Sequence, residues 1–373
     1  MSYESIDQLQ KALAQGMFSD RKDAKKTAGR ALGTLLELIT FYLLKDYGFA
    51  TNIAIERALA EYANPTIGHN VEFTLHASEK VSSLPMPSDG RMNAKAVDSA
   101  LELTTRHLVS AAAKAKGNRP VWDGDIKNAA TLFDDDGNAQ PCIFNAYPDT
   151  EDDTVAVYRL DKRPFAMFEC KRVGVEEGMK KGPQTIEKAK QGAYVALAAS
   201  KLQKFRRSDG TQMGILEKED GSYLIEPYDV MLGKLLTDVN PRDLDGVVLT
   251  VGVISDHGNW FTSQHKNKET SILADSYDWL LFLTDQGLAA FIDDALLGGD
   301  ADMAQTRLAF EERTVRRQGT FTKTTLPADA DRELTRYFAR NRERIAGWFN
   351  IITPEGGTLL QLFDTLHRMA SVR

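Results

Sequence analysis

Cysteine is nearly absent from this chain, with Cys142 and Cys170 as its only two. They are too few and too far apart for a disulfide framework or a zinc-ligand set, and the scarcity fits a reducing compartment. The six histidines are dispersed and none pairs at a metal-ligand spacing, so His69-Asn70 and His257-Gly-Asn259 read as chance pairs. No stretch approaches the roughly eighteen consecutive apolar residues of a membrane span. Met1-Ser-Tyr-Glu-Ser5 lacks the basic and apolar regions of a secretory signal. A cytoplasmic protein with no membrane partner is therefore expected. The chain also lacks G-x-x-x-x-G-K-[ST], a G-x-G-x-x-G following a strand, and G-x-S-x-G. Those absences remove the usual nucleotide-driven motors, dinucleotide enzymes and serine hydrolases.

What the chain has is segregated charge. Its 373 residues are 42% hydrophobic, enough for a sizeable core in one decorated domain or two, and the net charge is −7. That charge is unevenly spread. From Asp123 to Asp161 ten acidic residues face two basic ones, whereas from Lys171 to Arg207 ten basic residues face three acidic ones. A third region, Arg313 to Arg344, holds nine basic residues against four acidic, including Arg316-Arg317 and Arg336, Arg340, Arg342 and Arg344. An acidic centre flanked by basic arms suits metal ions meeting a polyanion, because local rather than total charge decides such binding.

Hydrophobic spacing predicts a long first helix, capped at Ser19 or Asp20, carrying Ala28, Leu32, Leu35, Leu36, Ile39 and Leu43, and ended by Gly48. Glu37 lies deep within it. Asn70 to His76 alternates like a strand, and an Ala-rich helix is expected from about Asn93 to Lys116; the segment from about 50 to 120 reads as an insertion. Val155 to Tyr158 and Phe165 to Lys171 read as strands joined by a turn at Asp161-Lys-Arg-Pro164 into an antiparallel hairpin. A basic helix from Pro183 to Arg207 follows, then the apolar run Asp245 to Asp256, typical of a strand buried on both faces. Beyond it, Tyr277 to Leu297, Asp331 to Ile352 and Thr358 to Ala370 have helical spacing. The expected organisation is a core over 1–260 and a mainly helical region over 261–373.

The strand Phe165-Ala-Met-Phe-Glu-Cys-Lys171 is the most informative segment. Side chains alternate along a strand, so Glu169 and Lys171 share one side of the sheet, a poor core and a good first shell for a metal ion and an activated water. An acidic cluster, Glu151-Asp152-Asp153, lies upstream. Facing residues in a hairpin share a constant index sum, and a turn near Asp161 or Lys162 sets Asp153 opposite Glu169. The bland readings are a surface charge pair for Glu169 and Lys171, a solvated loop for the acids, and a solvent stripe for Glu37.

This order of helix, strands, hairpin, helix and buried strand resembles the PD-(D/E)XK nuclease superfamily. Glu169-Cys170-Lys171 carries the resemblance as the (D/E)-x-K element, with an upstream aspartate and Glu37 as the accessory acid of the first core helix. The resemblance implies an α/β fold with a mixed sheet flanked by helices, restriction endonuclease-like. It implies Mg²⁺, with Mn²⁺ as a substitute, bound by Asp153, Glu169 and the Cys170 carbonyl, and Lys171 orienting or deprotonating water. Asp149, in the literal Pro148-Asp149 pair, stays open as the alternative aspartate, returned to the metal by a bulge over 150–152. Double-stranded DNA is the implied substrate and a homodimer the implied assembly, as in type II restriction enzymes. Lys188, Lys190, Lys201 and Lys204, on the basic helix, and Arg316 and Arg317 are the expected phosphate contacts. Gln184 and Gln191 share a face of that helix and read as polar filler or as neighbours of the site. Tyr337, Trp348 and Phe349 read as core rather than DNA-stacking residues. An HNH-type site on the histidine pairs is the weak competitor; a non-catalytic DNA-binding protein and a structure-specific repair nuclease are the other readings.

Overall fold

The computed structural model describes residues 6–16, 18–19, 22–57, 71–93, 96–97, 108–110, 121–122, 125–127, 130–134, 143–149, 152–161, 163–173, 183–237, 241–256, 268–312 and 325–372. The first half contributes strands β1 (Ile53–Arg57), β2 (Val71–Leu75), β3 (Ser78–Pro85), β4 (Arg91–Met92), β5 (Leu108–Ser110), β6 (Val121–Trp122), β7 (Asp125–Lys127), β8 (Ala130–Asp134) and β9 (Ile143–Asp149). Strands β10 (Thr154–Leu160), β11 (Ala166–Val173), β12 (Leu202–Arg206), β13 (Gln212–Glu217), β14 (Tyr223–Pro227) and β15 (Leu249–Asp256) follow. The last are β16 (Trp279–Leu283), β17 (Thr325–Pro327) and β18 (Phe349–Thr353). The helices used below are α1 (Ile6–Gly16), α2 (Ala24–Leu44), α3 (Pro183–Ala199), α4 (Tyr228–Thr237), α5 (Lys268–Ser276), α6 (Asp285–Ile292), α7 (Ala304–Phe310), α8 (Ala328–Arg340), α9 (Arg342–Ala346) and α10 (Leu359–Ser371). No helix among the described residues is long and apolar enough to cross a membrane.

A mixed α/β architecture results. The central sheet runs β1-β2-β11-β15-β16-β18, with β11, β15 and β16 parallel and the outer pairings antiparallel. Strand alternation assigns the flanking helices to opposite faces. Phe168 and Cys170 enter the large core with Leu35, Leu36 and Ile39 of α2, while Met167 packs with Val195 and Ala196 of α3. The expected first helix and the doubly buried strand at 249–256 are both present. Gly48 closes the helical region with φ 89°, a left-handed turn that glycine takes without a Cβ clash.

Other expectations change. Strands β1 and β2, expected within an insertion, belong to the central sheet. Part of the expected Ala-rich helix, Leu108–Ser110, is a strand of a second sheet, β3-β10-β9-β8-β5. The basic helix stops at Ala199, and Lys201 and Lys204 fall beyond it, at and within the first strand of a β12-β13-β14 meander. In the C-terminal region, Trp279-Leu-Leu-Phe-Leu283 is buried at all five positions as strand β16. A continuous apolar run fits a strand covered on both faces, and helical spacing cannot tell the two apart. With β18 also in the sheet, two strands of the C-terminal region complete one side of the central sheet.

The acidic hairpin does not fold back onto β11. Strands β2 and β3 form one nearly continuous chain that pairs along both β11 and β10: Leu75 faces Ala166, and Ser78 faces Leu160. Residues 161–165 on one side oppose only His76-Ala77 on the other, and the extra residues turn the ribbon from one sheet into the next. The Asp161 N–H donates to the Ala77 carbonyl at 2.8 Å and the Phe165 N–H to the Leu75 carbonyl at 2.8 Å, so pairing continues around the corner. His76 is fully buried there, its Nδ1 2.8 Å from the Asp161 carbonyl oxygen and its Nε2 2.8 Å from Thr74 Oγ1. Asp161-Lys-Arg-Pro164 is thus a corner and not a hairpin turn.

Helix α8 locks onto α2 through a buried carboxylate. Asp331 accepts from the Tyr42 hydroxyl at 2.7 Å and pairs with Lys45 Nζ at 2.9 Å, with the Tyr42 and Phe338 rings 5.6 Å apart between their centroids.

Candidate active site

Glu169 is a buried charged group on an inner strand of the central sheet. Its side chain is 2% exposed, and Lys171 Nζ lies 2.7 Å from Oε1 while itself 31% exposed. The expected juxtaposition on β11 is present. An ionised carboxylate buried this deeply requires such compensation, since an isolated one is costly to desolvate. The Glu72 N–H donates to Oε2 at 3.4 Å, at the long end of hydrogen bonding.

Two glycines make room for this carboxylate. Helix α3 crosses β11 at Gly192, where an added Cβ would stand 2.7 Å from Glu169 Cβ and 3.1 Å from Oε2. On the neighbouring strand Gly252 is the register partner of Glu169, and a Cβ there would meet the Tyr277 ring at 2.8 Å. The buried Tyr277 hydroxyl is pushed well above the ordinary tyrosine range, first by desolvation and then by the charge of Glu169. Glu169 thus occupies a slot bounded by α3, by Lys171 and by a tyrosine ring. Gly192→Ala is expected to displace the carboxylate, because Glu169 Cβ is anchored in the strand and cannot yield like the end of a long side chain. A loss of about a hundredfold, the scale of a 1 Å misplacement, is the outcome to look for in any activity that depends on Glu169. Unchanged kinetics would mean that α3 does not set the position of Glu169.

The residue opposite Glu169 is not the one expected. Pairing of β2 with β11 runs Leu75–Ala166, Thr74–Met167 and Phe73–Phe168, and one further step sets Glu72 against Glu169. Glu72 is 7% exposed. Its sequence signal was a carboxylate inside the alternating stretch Asn70 to His76, visible only once β2 is recognised as the neighbour of β11. Asp153 and Asp149 lie elsewhere, at the turn between β9 and β10 in the second sheet, with Asp149 in register with Thr154. Asp153 has φ 52° and is exposed, and its carbonyl accepts from the Met86 N–H at 3.0 Å. Strand β10 alone carries the chain roughly 20 Å from the corner, at about 3.3 Å per residue. Neither aspartate is brought to Glu169.

Glu37 reaches the side of β11 that carries Cys170, across the sheet from the Glu169 slot. The buried Cys170 thiol is pushed far above the ordinary thiol range, chiefly by desolvation, with the charges of Glu37 and Glu169 adding to it and a hydrogen bond with Thr40 opposing it. The Cys170 side chain lies in the core with α2, on the face of β11 opposite Glu169.

The expected phosphate contacts separate. Lys190 is half-buried on α3, with its Nζ 5.2 Å from the Tyr194 ring centroid, while the Lys188 side chain and all of Arg316 and Arg317 lie outside the described residues. Lys201 is exposed. Lys204 is committed to the interior: it is 8% exposed, 2.9 Å from Asp278 Oδ1 and 4.2 Å above the Tyr228 ring. Asp278 also accepts from the Thr250 N–H and hydroxyl, each at 2.7 Å. That ammonium cannot reach a phosphate without breaking a buried ion pair. Further along, Arg340 pairs with Asp302, Arg342 with Asp46 and Arg344 with Asp294, so this part of the basic C-terminal run is largely neutralised. Tyr337, Trp348 and Phe349 are buried, as their core reading required.

Comparison with protein-family models, with curated proteins and with solved structures finds no match. The site therefore has to be judged on its own chemistry. Among the described residues no three His, Cys, Asp or Glu side chains gather to hold a metal ion. Glu169 and Glu72 instead offer two carboxylates on adjoining strands. Such a set is poor for zinc, which takes three or four protein ligands, and fits Mg²⁺, which commonly uses one or two carboxylates and completes its shell with water and substrate phosphate.

Proposed function

We propose that this protein is a Mg²⁺-dependent endonuclease acting on double-stranded DNA, with a restriction endonuclease-like core. The observation that carries the reading is the buried Glu169 ion-paired with the half-exposed Lys171, two residues apart on an inner strand of a mixed sheet with helices on both faces. That is the setting in which the resemblance to PD-(D/E)XK nucleases sets its (D/E)-x-K element. Glu72, on the strand antiparallel to it, takes the place proposed earlier for Asp153.

Glu169 and Glu72 would hold Mg²⁺, which when bound lowers the pKa of a coordinated water and neutralises phosphate charge. Lys171 carries the rest from this chain's side. Its ammonium is one residue pair from the carboxylate and partly in solvent, where it can hold an attacking water or donate to a non-bridging phosphate oxygen. Attack at phosphorus with departure of the 3′ oxygen leaves a 5′-phosphate and a 3′-hydroxyl. Cutting both strands would take two equivalent sites, most simply in a homodimer.

The test is incubation of the full chain with supercoiled plasmid and with genomic DNA, in Mg²⁺ and in EDTA. Mg²⁺-dependent linearisation is expected; a discrete ladder from genomic DNA marks a site-specific enzyme and a smear a structure-reading repair nuclease. No cleavage of any DNA would overturn the reading. One observation favours a second reading, a non-catalytic DNA-binding protein: among the described residues no three His, Cys, Asp or Glu side chains gather to hold a metal ion. It predicts salt-sensitive DNA binding indifferent to Mg²⁺.

A further inference from the structure

We propose that Lys171 is the resident counter-cation of Glu169, and that a divalent ion entering the site displaces it, so that metal binding itself releases the ammonium for the substrate. The inference rests on the metal-site reading given above and extends it to how the site is switched. Glu169 is 2% exposed and both of its oxygens are engaged: Oε1 by Lys171 Nζ at 2.7 Å, Oε2 by the Glu72 N–H at 3.4 Å. On the α3 side the approach to Oε2 is closed by the backbone at Gly192, where even one added carbon would stand 3.1 Å away. An incoming cation must therefore take Oε1, which Lys171 holds. A carboxylate and its ammonium at this distance have no room for a second cation between them, and like charges repel.

The asymmetry of burial says which partner moves. Glu169 is fixed under a helix, whereas Lys171, 31% exposed, can keep its aliphatic stem along the strand and swing its head into solvent. Exchange leaves Glu169 compensated throughout, first by the lysine and then by the metal, so no step strands a buried charge. It also orders events: with Glu169 unmetallated the ammonium is occupied, and with the metal in place it is available to water or phosphate.

The test is calorimetric titration of Mn²⁺ and Mg²⁺ into the full chain without DNA. Lys171→Met, which removes the competitor and keeps the stem, is expected to bind the ions at least about tenfold more tightly than wild type. Arg172→Gln removes the same charge one residue on, from a side chain that reaches the other face to the Gly29 carbonyl and Gln10. It is expected to change affinity by less than about twofold, since only a direct competitor should matter and distant effects stay small. A second measurement uses wild type and needs no variant to fold: acetylation of the Lys171 amine by acetic anhydride, followed by mass spectrometry, is expected to speed up when Mn²⁺ is added. Equal or weaker metal binding by Lys171→Met, an equal gain in Arg172→Gln, or slower acetylation would each overturn the proposal while leaving the metal site standing. A wild-type chain that binds no divalent ion at millimolar concentration would overturn both.

Discussion

Glu169→Gln should abolish the Mg²⁺-dependent DNA cleavage proposed above, by about a thousandfold or more, on a protein that still folds. Glutamine is isosteric, so it enters the slot under Gly192 without a new clash. It removes the charge that would hold the metal, and effects on that scale are ordinary when a group that stabilises developing charge is lost. The stability cost follows from the burial of the two partners. Removing one partner of a buried ion pair costs about 3–5 kcal/mol when the other charge is left stranded. Lys171 is not stranded, because it is 31% exposed and can turn to water. The loss should therefore be nearer that of a buried hydrogen bond, about 1 kcal/mol. Cleavage rates together with urea unfolding separate the two effects. Full activity in the variant would remove Glu169 from the chemistry, and a collapse of the fold would show that its role is structural.

The second large effect is one of stability alone. Asp331→Ala is expected to destabilise the protein by about 3–5 kcal/mol, the range for breaking a buried pair. The carboxylate is 1% exposed and Lys45 only 12%, and Tyr42 donates its hydroxyl to the same oxygen. Neither partner finds water readily once the acid is gone. Asp331→Asn, which can still accept from Tyr42, should lose less. By contrast Arg159→Ala, which breaks the exposed pair with Glu79, should cost no more than about 1 kcal/mol. Equilibrium denaturation of the three variants checks the ranking, and equal losses in Asp331→Ala and Arg159→Ala would contradict it.

Much of the site was legible in the sequence, and the part that was not has a single physical origin. Glu169 and Lys171 were readable because strand alternation is local: two residues apart means one face, whatever the neighbours. Helix α2 and strand β15 were readable for the same reason, through periodicity and a long apolar run. The partner of Glu169 was not, because pairing is a property of two strands. A constant index sum holds only within a hairpin, whereas β11 pairs with β2, more than ninety residues earlier, and Asp161-Lys-Arg-Pro164 has turn composition whether it makes a hairpin or a corner. Lys204 shows the converse. Its place in a basic run is evident, but its burial against Asp278 depends on β12 meeting the residue just before β16, which no local pattern reveals. Trp279 to Leu283 is a strand, yet its uninterrupted apolar run satisfies a helical period equally well.

The order of strands in the central sheet bears on how the chain is made. From β11 the sheet extends outward through β15, β16 and β18 in the order in which a ribosome would deliver them. Each new strand adds to the edge that the previous one left open. The two strands flanking Glu169 are both available by Asp256, yet until Trp279 to Leu283 emerges, β15 would present an open edge on a nearly continuous apolar strand. Unpaired edges of that kind invite pairing with other chains. During synthesis the strand that carries Glu169 would thus be assembled early and protected late, with β16 and β18 of the C-terminal region serving as the edge cover for the central sheet.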